Sequence, residues 1–262
     1  MIGIRNIINE NHYNLSSSIN KYFKVLNKSQ DEIKENLTQR AYLNALTGGI
    51  DFGAKQVVGF ILNPIVISIL GLKFYGVWKI LSQLNNYMMS ADINVAQPLK
   101  LFIARHRTTT GQNNLQNVFS ASFFTTLLFL PLYLIVGFFL IWVSPYVAGI
   151  ENEFFLIVRK TMAFLVFAFI VKQLFSLFEA VLRGMNIAYK RMGVRAIITI
   201  IGGLLTAKIL RDGYGLPGMA AIQLITVIFT GITMWMIVYK NVDWFKFSKI
   251  ELQDIKKTIN LS

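Results

Sequence analysis

The chain contains no cysteine. That excludes a disulfide framework, a thiolate nucleophile and a cysteine-based metal site. Histidine is nearly missing: His12 and His106 are the pair present, and both fall outside the apolar runs. Charge is scarce, at 15% of residues, whereas ordinary soluble domains carry about 25%. No GxxxxGK(S/T) loop occurs, so the chain holds no ATP motor of that type, and no HExxH zinc motif is present. The acidic residues within or at the ends of apolar runs are Asp51, Glu179 and Asp92, with no two close in sequence. A metal-dependent transferase would need such a pair.

What remains is apolar. Hydrophobic residues make up 54%, phenylalanine alone numbers 21, and mean hydropathy is +0.51. A bilayer-crossing helix needs about 20 mostly apolar residues. Six segments meet that length approximately, over 43–71, 75–96, 117–144, 154–182, 193–210 and 216–239. Turn signals separate them at Gly71-Leu72-Lys73, Arg105–Asn117, Ser144-Pro145, Arg183–Arg195 and Arg211-Asp212-Gly213. The expected fold is all-α: a polytopic membrane protein built as a six-transmembrane-helix bundle. Residues 1–40 read as a polar cytosolic tail, partly an interfacial helix. They hold no apolar core or cleavage pattern of a signal peptide, so the first apolar helix is expected to act as the insertion signal. Residues 41–240 form the transmembrane lobe. Residues 241–262 read as an amphipathic interfacial segment, with Phe245, Leu252, Ile255 and Ile259 on one face.

The formal net charge of +13 would suit nucleic acid, but its placement favours topology. Of the 26 basic residues, 18 lie in 1–42, 97–117, 183–195 and 240–262, all on one side of the expected bundle. The other side has Lys73, Lys208 and Arg211. Basic residues collect on the cytoplasmic side. Both termini are therefore expected in the cytoplasm, in a multi-pass protein of the cell membrane, with membrane lipids rather than nucleic acid as surroundings.

The first segment carries Asp51 and Lys55 on one helical face, and Asn63-Pro64, where a kink is expected. Offsets of about 4, 7 and 11 return to one face of a helix. The second segment places Lys79, Gln83, Asn86 and Ser90 at those offsets, the fourth Lys172, Ser176, Glu179 and Arg183, and the fifth Arg195, Thr199, Gly202 and Thr206. The sixth has a weaker set, Gln223, Thr226, Thr230 and Thr233; the third has Ser122, Thr125 and Thr126. A charge facing hydrocarbon costs at least ~2.5–3.5 kcal/mol. Stripes are therefore expected to face inward and line a cavity. Its cations would be Lys55, Lys79, Lys172, Arg183 and Arg195, suiting an anionic cargo such as a pyrophosphate. Asp51 and Glu179 would pair these charges or carry a coupling proton or sodium ion; no cofactor or metal is expected. A structural reading stands beside this one: threonines bond their own backbone, Lys79, Arg183 and Arg195 can snorkel, and Glu179 with Arg183 is an ordinary i,i+4 pair. Gly49 and Gly53 have the spacing of a close helix contact.

Four stretches, ILGLKFYGVWKIL, ADINVAQPLKLFIARHR, FEAVLRGMNIAYKRMGVRAI and GYGLPGMAAIQLIT, in this order and spacing, resemble the Wzx-type polysaccharide flippases of the MATE-like (MOP) exporter superfamily. ILGLKFYGVWKIL resembles the junction in which a Tyr-Gly pair, here Tyr75-Gly76, opens the second helix. ADINVAQPLKLFIARHR resembles an Asp-x-Gly loop running to a basic residue; Asp92 matches and Asn94 stands where glycine is usual. FEAVLRGMNIAYKRMGVRAI and GYGLPGMAAIQLIT resemble the end of the fourth helix and the start of the sixth. The resemblance covers about 41–262. It implies alternating-access flipping of a lipid-linked oligosaccharide, with ion coupling and two similar lobes, of which this chain supplies the first. The closing amphipathic segment would then lead toward an absent second lobe. The expected partners are a lipid-linked glycan, a second lobe or second copy, and glycan polymerase or glycosyltransferase machinery. Other readings are a multidrug or cation exporter of the same superfamily, a membrane glycan-biosynthesis enzyme, and a non-transporting scaffold. The basic excess disfavours the first. Outer loops of about ten residues or fewer leave no room for the catalytic loop of the second. No enzymatic activity is expected.

Overall fold

A computed structural model describes residues 2–90, 94–106, 112–191 and 193–245, with side chains over 38–88, 94–106, 114–191 and 193–245. Asp92 and most of the 241–262 segment lie outside the described residues, as does the side chain of Ser90. The chain divides into two units, Met1–Ala45 and Leu46–Ser262. The first is helical from Ile2 onward, where the sequence reading allowed partial helix. The second holds everything discussed below.

The helices are α1 (Ile2–Ser90), α2 (Ala96–His106), α3 (Gln112–Ala148), α4 (Phe155–Gly184), α5 (Val194–Arg211) and α6 (Gly215–Asn241), with short 3-10 turns at Asn152–Phe154 and Ala188–Arg191. No strand occurs among the described residues. Among the described residues, five helices are long and apolar enough to cross a membrane: α1, α3, α4, α5 and α6. The protein is a multi-pass membrane protein.

The first two apolar segments belong to one helix, α1, broken at Gly71 (φ 79°, ψ 165°). Side-chain-bearing residues rarely adopt that backbone. The expected kink at Pro64 is not where the chain departs from helical geometry; Gly71 is. Val58 and Trp78 line the same hollow. In a continuous helix they would sit about 30 Å apart. The chain therefore folds back at Gly71, and the two limbs lie side by side.

Between α1 and α3 the sequence reading placed a loop. The structure puts an amphipathic helix there, α2, with Leu99 and Ile103 buried. It starts after Asn94, whose φ of 48° lies in the left-handed region that glycine would serve and that asparagine tolerates. Its inner face meets the end of α4 at Gly184, where a β-carbon would come within 2.8 Å of Ile103 and 2.9 Å of the Lys100 carbonyl.

α4 is the central post, packed against α6, α3 and α2. Two cores form along it. One gathers Val66, Val77, Leu81, Tyr133, Val158, Met162, Phe169 and Met219 at its N-terminal half. The other gathers Leu99, Ile103, Phe119, Leu177, Val181, Val238 and Trp244 at its C-terminal half. Phe245, assigned from sequence to an interfacial face, instead sits in this second core, its ring centroid 5.0 Å from that of Phe119 and 5.9 Å from that of Phe178. Gly49 and Gly53 make no close contact; a β-carbon at either would meet nothing within 4 Å.

At the N-terminal end of α4, Lys73 forms an ion pair and hydrogen bond with Glu151, and its ammonium lies 5.4 Å from the centre of the Phe154 ring. Glu151 lies outside the apolar helices. The hydrogen bond from Lys73 holds its carboxyl below the usual range. A depressed carboxyl pKa favours the folded state above the unfolded value, and that preference is lost as pH falls through the folded value. The expected result is a Glu151 carboxyl that titrates below the usual glutamate range and moves back toward it in Lys73→Gln. Carbon-detected NMR of labelled glutamate reads this shift.

Candidate functional site: a cation-rich cleft

The C-terminal end of α4 is where charges from α1, α4 and α5 meet. Helical spacing brings Lys172, Ser176, Glu179 and Arg183 to one face of α4. α5 begins after Gly193 (φ 76°) and carries Arg195 and Thr199 toward the same place. α6 adds Gln223, Thr226 and Thr230. Between them lies a cleft of about 280 Å³, with Lys55 of α1 on its rim. Lys55, Lys172 and Gln223 are exposed, so the cleft is open on that side.

Glu179 is the hub. Its Oε1 accepts hydrogen bonds from Arg183 Nη2 at 2.7 Å and Nε at 3.1 Å, and from Arg195 Nη1 at 3.3 Å. Arg191 Nη2 stands 3.4 Å from the same oxygen. Arg191 Nη1 is also 3.4 Å from Asp51 Oδ2. Arg191 thus ties α1 to α4 from the turn that follows α4. Its side chain is 5% exposed and that of Asp51 is 9% exposed. Neither Asp51 oxygen has a hydrogen-bond partner among the described residues, which leaves the ionic contact with Arg191 to offset its desolvation.

Of the cations expected to line a cavity, the structure brings together Lys55, Lys172, Arg183 and Arg195. Lys55, Lys172 and Arg195 line the cleft; Arg183 joins through Glu179. Lys79 is elsewhere. Its ammonium lies 5.1 Å from the centre of the Tyr75 ring, and Gln83 and Asn86 on its stripe are exposed. Tyr75 is half-buried against the first core, and a β-carbon at Gly76 would meet nothing within 4 Å. Arg191 is the site residue that the sequence reading missed; it was counted there as topological charge. No periodic signal marks it, because it stands in a 3-10 turn between two helices.

Five cations (Lys55, Lys172, Arg183, Arg191, Arg195) therefore surround two carboxylates, Asp51 and Glu179. Such a cluster can hold an anion against the cationic surplus. The threonines of the stripes turn their hydroxyl protons back on their own helices, as Thr199 does to the Arg195 carbonyl at 2.8 Å and Thr230 to the Thr226 carbonyl at 2.8 Å. The third-segment hydroxyls do likewise: Thr125 and Thr126 are buried and donate to the Ala121 and Ser122 carbonyls. No family model, no curated protein and no solved structure matches this chain.

Proposed function

We propose that the protein moves an anionic, glycan-bearing lipid across the cell membrane by alternating access. The observation that carries this reading is the cleft at the C-terminal end of α4, which Lys55, Lys172 and Arg195 line against the single carboxylate of Glu179. The stretches that resemble polysaccharide flippases support the glycan as cargo. The fold-back at Gly71 supports six crossings, because the limbs of α1 then pass the membrane separately. Asp51 meets Arg191 at one end of α4 and Lys73 meets Glu151 at the other, which supports an antiparallel course for the first limb. With the basic excess inside, both termini are cytoplasmic. The cleft's open side is where a second lobe, or a second copy, would complete the cavity and rock against it. Asp51 and Glu179 are the groups through which a proton or sodium ion would couple.

The test is transport by the reconstituted protein. Liposomes carrying a polyprenyl-pyrophosphate oligosaccharide in one leaflet should expose it in the other, read by an impermeant glycosidase. Lys172→Gln and Arg183→Gln should each slow exposure by about tenfold or more, the worth of one charge-assisted hydrogen bond. Unchanged rates in both variants overturn the cleft assignment. A second reading is favoured by the three arginines on one Glu179 oxygen: an ion-paired scaffold that transports nothing. Under it, the same variants lower thermal stability and the wild type shows no glycan exposure.

A further inference from the structure

The geometry points to a second ligand subsite: the uncharged hollow beside the cleft, built to receive the hydroxyl groups of one neutral ring attached to the anion. This rests on the reading that the cleft holds an anion. The two spaces are neighbours, since Thr199, Gln223 and Thr226 line both. Their chemistry differs. The cleft carries Lys55, Lys172, Glu179 and Arg195, whereas the hollow has no ionisable group and adds Asn63, Trp78 and Thr206.

The polar lining of the hollow is one-sided. Thr199, Thr206 and Thr226 donate to the carbonyls of Arg195, Gly202 and Ile222 at 2.8, 2.8 and 2.6 Å. A hydroxyl has one proton, so each presents only lone pairs to the space. That wall accepts hydrogen bonds and cannot give them. The amides of Asn63 and Gln223 supply the donors. Trp78 adds a flat apolar face, and buried Val66, Met219 and Ile222 line the hollow with it. Bare backbone sets the width: a β-carbon at Gly202 would meet Thr226 Oγ1 at 2.8 Å, and one at Gly203 would meet Val58 at 2.6 Å.

A donor-rich, uncharged, ring-shaped ligand satisfies this arrangement. An apolar group would leave the lone pairs of buried Thr206 and half-buried Thr199 and Thr226 facing it without donors. A cation would meet the charges of Arg195 and Lys55 next door. At about 250 Å³ the hollow is smaller than most ligand pockets, which run ~300–1,000 Å³, so it suits one ring rather than a chain of them.

Isothermal titration of the full chain in nanodiscs with inorganic phosphate, glucose 1-phosphate and glucose tests this. Glucose 1-phosphate should bind about tenfold more tightly than phosphate, the worth of one or two hydroxyl hydrogen bonds. Thr206→Val and, separately, Trp78→Leu should erase that advantage and leave phosphate affinity unchanged. Equal affinities for the two anions in the wild type overturn the subsite and leave the anion reading standing. Glucose binding that Thr206→Val abolishes, with no phosphate binding, supports the subsite and overturns the anion reading. Failure of all three probes to bind overturns both.

Discussion

Arg191→Ala should destabilise the protein by about 3–5 kcal/mol, the cost of breaking a buried ion pair from one side. The loss falls on Asp51. Glu179 keeps Arg183 and Arg195, but Asp51 has no other ion pair or hydrogen bond among the described residues. A buried carboxylate that loses its one ion-pair partner keeps its desolvation cost with less to offset it, which lowers the stability of the fold at neutral pH. The effect should therefore be reversible by changing the carboxylate. Adding Asp51→Asn to Arg191→Ala should restore more than half of the lost stability, whereas Glu179→Gln should not. Thermal unfolding in detergent with a double-mutant cycle reads the coupling. A loss below about 1 kcal/mol for Arg191→Ala would mean that the contact is no stronger than a surface pair.

Gly231→Ala should cost about 1–3 kcal/mol, the range for overpacking a tight interface. The site lies on α6 where it presses on α4, and an added β-carbon would overlap the ring of Phe175 at three of its atoms. The atoms it would meet are Cγ, Cδ1 and Cδ2 rather than the far end of the ring, and the ring packs against the core that holds Phe178, with centroids 6.0 Å apart. Phe175→Leu makes room on the other side of the contact. The double variant should be more stable than Gly231→Ala alone, although each single change destabilises. Both residues also line the cleft, so the double variant should alter anion affinity even where it recovers stability. Additive losses in the double variant would falsify the contact.

The helices themselves were legible because their apolar runs are long and their breaks carry glycine or charge, as at Gly71 and Asp212-Gly213. The stripes on α4, α5 and α6 were legible as well, since periodicity brings Lys172 and Glu179, Arg195 and Thr199, and Gln223 and Thr226 to shared faces. On the second limb of α1 the same arithmetic gave less. Lys79, Gln83 and Asn86 do share a face, but so do Val77, Leu81, Leu84 and Met88, at the same offsets and about 200° around the helix. The core takes the apolar set. Periodicity says which residues stand together, and burial decides which way they look. Arg191 was out of reach for a different reason. Its position depends on Asn186 at φ 56°, a 3-10 turn and Gly193 at φ 76°, a path no repeat describes.

The fold-back at Gly71 sets what happens when it fails. A side chain at residue 71 that favours right-handed backbone would draw the two limbs toward a single straight rod. From Leu46 to Ser90 such a rod measures about 67 Å, more than twice the ~30 Å of a hydrocarbon core. No tilt of ordinary size accommodates that mismatch. One end would carry apolar residues such as Phe60 and Ile61, or Leu72 and Tyr87, out into water. The conformation of this one glycine thus governs whether about a sixth of the chain is matched to the thickness of the bilayer it occupies.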